Sequence, residues 1–141
     1  MDNPTNIEIF DLCVGLFFAE LYKNFPKRID IRFADVPHSL FDEIDSMALV
    51  EQKFEMYEHA AKWLYDSGYV LAHHVDARGA EGIVLSFKGL EALHTKPRSL
   101  FSRKRIGEQI VDAVKDGAKL SVQKAVSIAL TNGAKIVLGQ I

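Results

Sequence analysis

Between Trp63 and Leu93 the chain reads WLYDSGYVLAHHVDARGAEGIVLSFKGLEAL, and this stretch constrains the fold more than any other. Ser67-Gly68 supplies a helix stop. Tyr69 to Ala77 then alternates, with Tyr69, Leu71, His73 and Val75 on one side and Val70, Ala72, His74 and Asp76 on the other, which is strand periodicity. Arg78 to Gly82, RGAEG, is the expected turn, because Gly79 and Gly82 free the backbone for positive φ and a short glycine-bearing loop fits a hairpin. Ile83, Val84 and Leu85 make the return strand, and Ser86 caps a helix through Leu93. Gly89 inside that helix costs about 1 kcal/mol against alanine, which a close packing contact would explain.

Upstream, Pro4 suits a first helical turn and Thr5 with Glu8 has capping-box spacing, so a helix is expected from near Asn3 or Thr5 to about Asn24, where Pro26 stops it. Phe10, Cys13, Val14, Phe17 and Leu21 form one apolar stripe, and Ile9, Leu12 and Leu16 form a second. A helix this apolar is buried on more than one side. Its surplus face meets either a second subunit, with Gly15 and Ala19 allowing close approach, or the chain's own C-terminal segment. RIDIRF, Arg28 to Phe33, alternates charged and apolar residues and predicts a strand that pairs with the hairpin. Ser39 with Asp42 opens a short helix, SLFDEID, and Val50, Phe54, Tyr57, Ala61 and Leu64 predict another from about Ser46 to Asp66.

The succession of helices, strand, long helix, hairpin and capped helix resembles the winged helix-turn-helix superfamily over residues 1 to about 95. That resemblance implies an α+β fold, mainly helical with a small sheet. It makes the 46–66 helix the recognition helix and the 69–85 hairpin the wing, and it implies DNA binding and transcription regulation as the function. The residues depart from this role. Opposite its apolar stripe the 46–66 helix would present Glu51, Glu55, Glu58 and Asp66 with Lys62, and with Gln52 and His59 beside them. Four acids against one lysine oppose a duplex carrying a phosphate charge about every 1.7 Å of its axis. At the wing tip, Arg78 is offset by Glu81.

Charge is divided along the chain. Residues 1–95 hold 8 lysines and arginines against 16 acids, a net of −8, whereas 96–141 hold 9 against 3, a net of +6. An acidic partner for the tail follows from this division, whether nucleic acid, membrane surface or a second copy. Thr95 to Arg105 contains Lys96, Arg98, Arg103, Lys104 and Arg105 with no acid, and reads as a basic linker over 96–105. Residues 106–141 are helical in pattern, in two pieces parted near Gly117, and form a C-terminal extension for packing or oligomerisation. The second piece is cationic and amphipathic, but its apolar face of alanine, valine and glycine suits helix packing better than a lipid surface.

The remaining chemistry is sparse. Cys13, the only cysteine, sits in an apolar helix interior, which excludes an intrachain disulfide and argues against a nucleophile. His73 and His74 point to opposite faces of one strand, so they do not share a metal ion, and His74 with Asp76 is an incomplete ligand set. No glycine-rich phosphate loop, serine elbow or HExxH pattern occurs. With 48% apolar and 26% charged residues and no apolar run near the roughly 18 residues that span a bilayer, the expectation is a cytoplasmic, non-enzymatic protein without cofactor or metal, and a homodimer. Two binding modes follow. In one, DNA is held through Arg78, Lys96, Arg98, Arg103, Lys104 and Arg105. In the other, a protein-interaction adaptor uses the acidic face of Glu51, Glu55, Glu58 and Asp66, with no DNA bound.

Overall fold

Thr5 opens the first helix as its spacing to Glu8 predicts: its hydroxyl oxygen accepts the Glu8 amide N–H at 3.2 Å and its proton goes to the Glu8 carboxylate at 3.1 Å. The computed structural model describes residues 5–36, 40, 47–96 and 104–139, with the backbone alone at 47–52. From Thr5, α1 spans Asn6–Asn24. It is followed by β1 (Ile29–Arg32), a single 3-10 turn (Phe33–Asp35), α2 (Met47–Asp66), β2 (Val70–Leu71), β3 (His74–Val75), β4 (Gly79–Leu85), α3 (Phe87–His94), α4 (Ile106–Asp116) and α5 (Lys119–Val137). The chain is therefore mainly helical with a small antiparallel sheet, an α+β arrangement. The expected SLFDEID helix lies outside the described residues but for Leu40.

The long strand of the sheet is β4, which runs between β1 on one edge and β2 and β3 in succession on the other. RIDIRF thus pairs with the hairpin as its alternation predicts: Ile31 faces Ala80 and Arg32 faces Gly79, while Ile29 faces Ile83 across a bulge. Gly82 makes the bulge with φ +59°, a left-handed conformation that a side chain disfavours. The amide of Gly82 donates to Asp30 Oδ1 at 2.9 Å, and its carbonyl accepts from the Arg28 guanidinium at 2.6 Å, so one side chain of β1 and one just before it satisfy the backbone that the bulge turns aside.

Two details of the hairpin differ from the sequence expectation. The first strand is not continuous from Tyr69 to Ala77, but breaks at Ala72 and His73, directly across from the Gly82 bulge; His73 keeps only an N–H bond to the Glu81 carbonyl, at 2.9 Å. The turn also comes earlier than RGAEG. Asp76 N–H donates to Gly79 O at 3.0 Å, leaving Ala77 and Arg78 at the tip, and the Asp76 carboxylate takes the amides of Arg78 (2.8 Å) and Gly79 (3.3 Å). An aspartate that bonds the backbone two residues on makes the turn without help from glycine. Gly79 instead lies within β4, where a β-carbon would stand 2.1 Å from the Ile31 carbonyl oxygen.

The tail is part of the core. Ile106, Ile110, Val122, Val126 and Ala129 are buried in one cluster with Leu12, Phe17, Phe18 and Leu93. The surplus apolar face of α1 is therefore filled by α4 and α5 of the same chain rather than left for a second copy. Gly117, with φ +67°, ends α4 and turns the chain into α5. At the other end of the tail, Ile106 N–H bonds the Thr95 carbonyl at 3.0 Å, so the two ends of segment 96–105 lie side by side. Tyr69 joins hairpin to tail: its hydroxyl donates to the Leu130 carbonyl of α5 at 2.9 Å and its ring stacks on Trp63 with centroids 5.8 Å apart. Phe10 of α1 meets the other side of this group, edge-on to Trp63 at 5.3 Å. The contact sought for Gly89 exists, since a β-carbon there would stand 2.1 Å from the Tyr69 carbonyl oxygen.

Candidate interaction surfaces

On α2 the helical period separates two faces. Tyr57, Ala60, Ala61 and Leu64 are buried, and Tyr57 packs against Phe17 and Phe33 with ring centroids 5.8 and 5.7 Å away. Glu55, His59, Lys62 and Asp66 face outward and are exposed; Glu58 is half-buried and binds Lys62 at 2.6 Å. Glu51 belongs to α2, but its side chain, like that of Gln52, lies outside the described residues. With Lys62 committed to Glu58, the outward face shows the carboxylates of Glu55 and Asp66, neither of which has an ion pair among the described residues. Two aromatics stand beside them, Trp63 at 42% exposure and Tyr65 at 49%. The sequence pattern marks the charges of this face but not these rings, although Trp63 and Tyr65 flank Leu64 and so fall off its buried stripe.

The outward face of α2 continues onto the hairpin. Lys62, Tyr65 and Asp66 share a shallow depression of about 340 Å³ with Ala72, His73, His74 and Val75. His74 bonds the Asp76 carboxylate at 3.0 Å. The amide N–H of Arg78, aided by His74 and the Gly79 amide and opposed by partial desolvation, holds the Asp76 carboxyl below the usual carboxylate range. Among the described residues no group of three histidine, cysteine, aspartate or glutamate side chains could hold a metal ion.

The basic residues expected to grip an acidic partner are dispersed. Arg78 is exposed at the hairpin tip, where Asp30, Asp76 and Glu81 line the same hollow with Arg32. Lys96 is exposed just beyond α3. Arg98 and Arg103 lie outside the described residues. Lys104 forms an ion pair with Asp112 of α4, which raises its ammonium pKa, and Arg105 donates to the His94 carbonyl at 2.6 Å. Two of the cations thus serve as clasps between α3, α4 and their connection. Lys96, Lys104 and Arg105 are not among the residues that line the hollow beside Arg78.

Two buried polar groups complete the survey. Lys53 of α2 is only 6% exposed, with its ammonium 5.4 Å from the Phe54 ring centre and 6.0 Å from that of Tyr57. Burial pushes the Cys13 thiol far above its ordinary pKa, with Lys53 pulling weakly the other way, so the thiolate needed for nucleophilic chemistry is suppressed. No described helix is long and apolar enough to cross a membrane. Comparison with protein-family models, with curated proteins and with solved structures finds no match to this chain.

Proposed function

We propose that the chain is a non-enzymatic winged-helix adaptor of the cytoplasm, which binds a basic surface of another protein through the outer face of α2 and the wing beside it. The β1-β4-β2 order, with α2 leading into the hairpin, supports the winged-helix reading. One observation carries the choice of partner: where a winged-helix reader would present cations to phosphate, α2 presents Glu55 and Asp66 while its Lys62 is held by Glu58. Trp63 and Tyr65 add the amphipathic rings that concentrate binding energy at protein interfaces. The test is affinity capture from cells of the native host with the wild type and with a Glu55→Lys/Asp66→Lys variant. A protein bound by the first and released by the second is expected, and identical captures would reject the α2 face.

A second reading is favoured by Arg78, which stands at the wing tip with no ion pair among the described residues. Here the protein is a DNA-associated regulator that grips phosphate with Arg78, Lys96, Arg98, Arg103, Lys104 and Arg105. Neutralising Arg103, Lys104 and Arg105 would then flatten the salt dependence of duplex binding by up to about three units. An affinity weaker than about 10⁻⁴ M at low salt eliminates this reading.

A further inference from the structure

A cavity of about 870 Å³ opens between α1, β1 and α4, and it shares Asp30, Ile31 and Arg32 with the hollow beside Arg78. Its apolar lining comes from Leu16 and Ala19 of α1, Ile31 and Val36, and Val111 and Val114 of α4. All of β1 borders it, Ile29 through Arg32. Successive side chains of a strand point to opposite faces, so an unbroken run of lining residues means that the cleft lies along the strand's edge. Ile31 is paired with Ala80 and Phe33 N–H bonds the Arg78 carbonyl, which directs those residues toward β4. The amides of Asp30 and Arg32 consequently aim away from β4, and among the described residues no strand pairs with that edge.

The charges at the rim are unequally committed. Glu20 and Lys23 pair with each other at 3.0 Å, and Asp30 accepts the Gly82 amide. Arg32 and Lys115 have no hydrogen bond or ion pair from their side chains among the described residues, and the acids that face them at the rim are Asp35 and Asp30, the latter bonded to an amide that leaves its charge in place. The cleft therefore offers an apolar bed with unpaired donors at its rim: a guanidinium, an ammonium and edge amides.

We propose that this cleft binds a small amphipathic carboxylate, with its hydrocarbon body against α1 and α4 and its carboxylate held by Arg32 and Lys115. The volume falls within the range of about 300–1,000 Å³ typical of small-molecule sites, and charge-assisted hydrogen bonds are the strong kind. The brevity of β1, which passes directly into a 3-10 turn, favours a compact ligand over an added peptide strand. Such a ligand would touch both the sheet and the tail, and its binding is independent of the partner assigned to α2.

Calorimetric titration of the full-length protein with sodium octanoate, 1-octanol and octylammonium tests this. Octanoate is expected to saturate at about millimolar concentration or below and to bind about tenfold tighter than either other probe. Arg32→Gln/Lys115→Gln, both at exposed positions, should erase that preference without moving the melting temperature of the unliganded protein. Val111→Trp, which fills the cleft from a half-buried position, should weaken all three probes. Equal binding of the three, no saturable octanoate binding, or an unchanged preference in the double variant would overturn the proposal. Binding of an alternating valine-glutamate hexapeptide in place of octanoate would also overturn it, in favour of strand addition.

Discussion

Gly15 lies on α1 where that helix meets α5, and a β-carbon built on it would stand 2.3 Å from Cγ1 of Val122. On an exposed helix, replacing glycine by alanine gains about 1 kcal/mol. Here the added methyl meets a β-branched side chain that has little rotamer freedom, and overpacking of this kind costs about 1–3 kcal/mol. Gly15→Ala is therefore expected to lower the urea midpoint. In a double-mutant cycle with Val122→Ala the loss should be recovered with a coupling of at least about 0.5 kcal/mol. A stabilised single variant would contradict the close approach. The sequence announces Gly15 as a small residue on an apolar helix, but its neighbour lies more than a hundred positions away and no local pattern identifies it.

Among the elements, the hairpin shows which signals are local. Capping at Thr5 and Ser86 and the alternation of RIDIRF involve residues within a few positions of one another, and they were readable. The tip was misplaced because Gly79 and Gly82 resemble turn residues. One is needed for close approach to Ile31, and the other kinks β4 opposite Asp30. The actual turn rests on Asp76, whose carboxyl is held low chiefly by the Arg78 amide. A carboxyl depressed on folding adds stability that is present above its unfolded value, about 3.9, and lost as the pH falls through the folded value. Urea midpoints of the wild type and Asp76→Ala should differ at neutral pH and converge in acid. A gap that is constant with pH would assign the effect to something other than the ionised carboxylate.

For the whole molecule, the division into an acidic N-terminal part and a basic C-terminal part describes charge along the chain and not separate bodies in space. The tail helices complete the core by covering α1 along Gly15 and Tyr22. A chain ending at Arg105 should consequently lose its cooperative thermal transition, followed by circular dichroism. Retention of that transition near the full-length midpoint would mean that residues 1–105 fold alone. The tail's periodicity and its small-residue face were legible, as was the break at Gly117. Its destination was legible only as one of two alternatives, the second face of α1 or a partner copy, because docking depends on matching surfaces far apart in sequence. The cleft along β1 was invisible for the same reason: Arg32 and Lys115 become neighbours of one hollow only when strand and tail are both in place.

The stacking of Trp63 on Tyr69 gives the molecule an optical property. Trp63 is its sole indole, and that ring touches Phe10 of α1 and the Tyr69 ring whose hydroxyl is bound to the carbonyl of Leu130 in α5. Emission from one chromophore thereby registers the relative seating of the first helix, the hairpin and the last helix. The protein can report its own assembly in fluorescence without a dye or an added label.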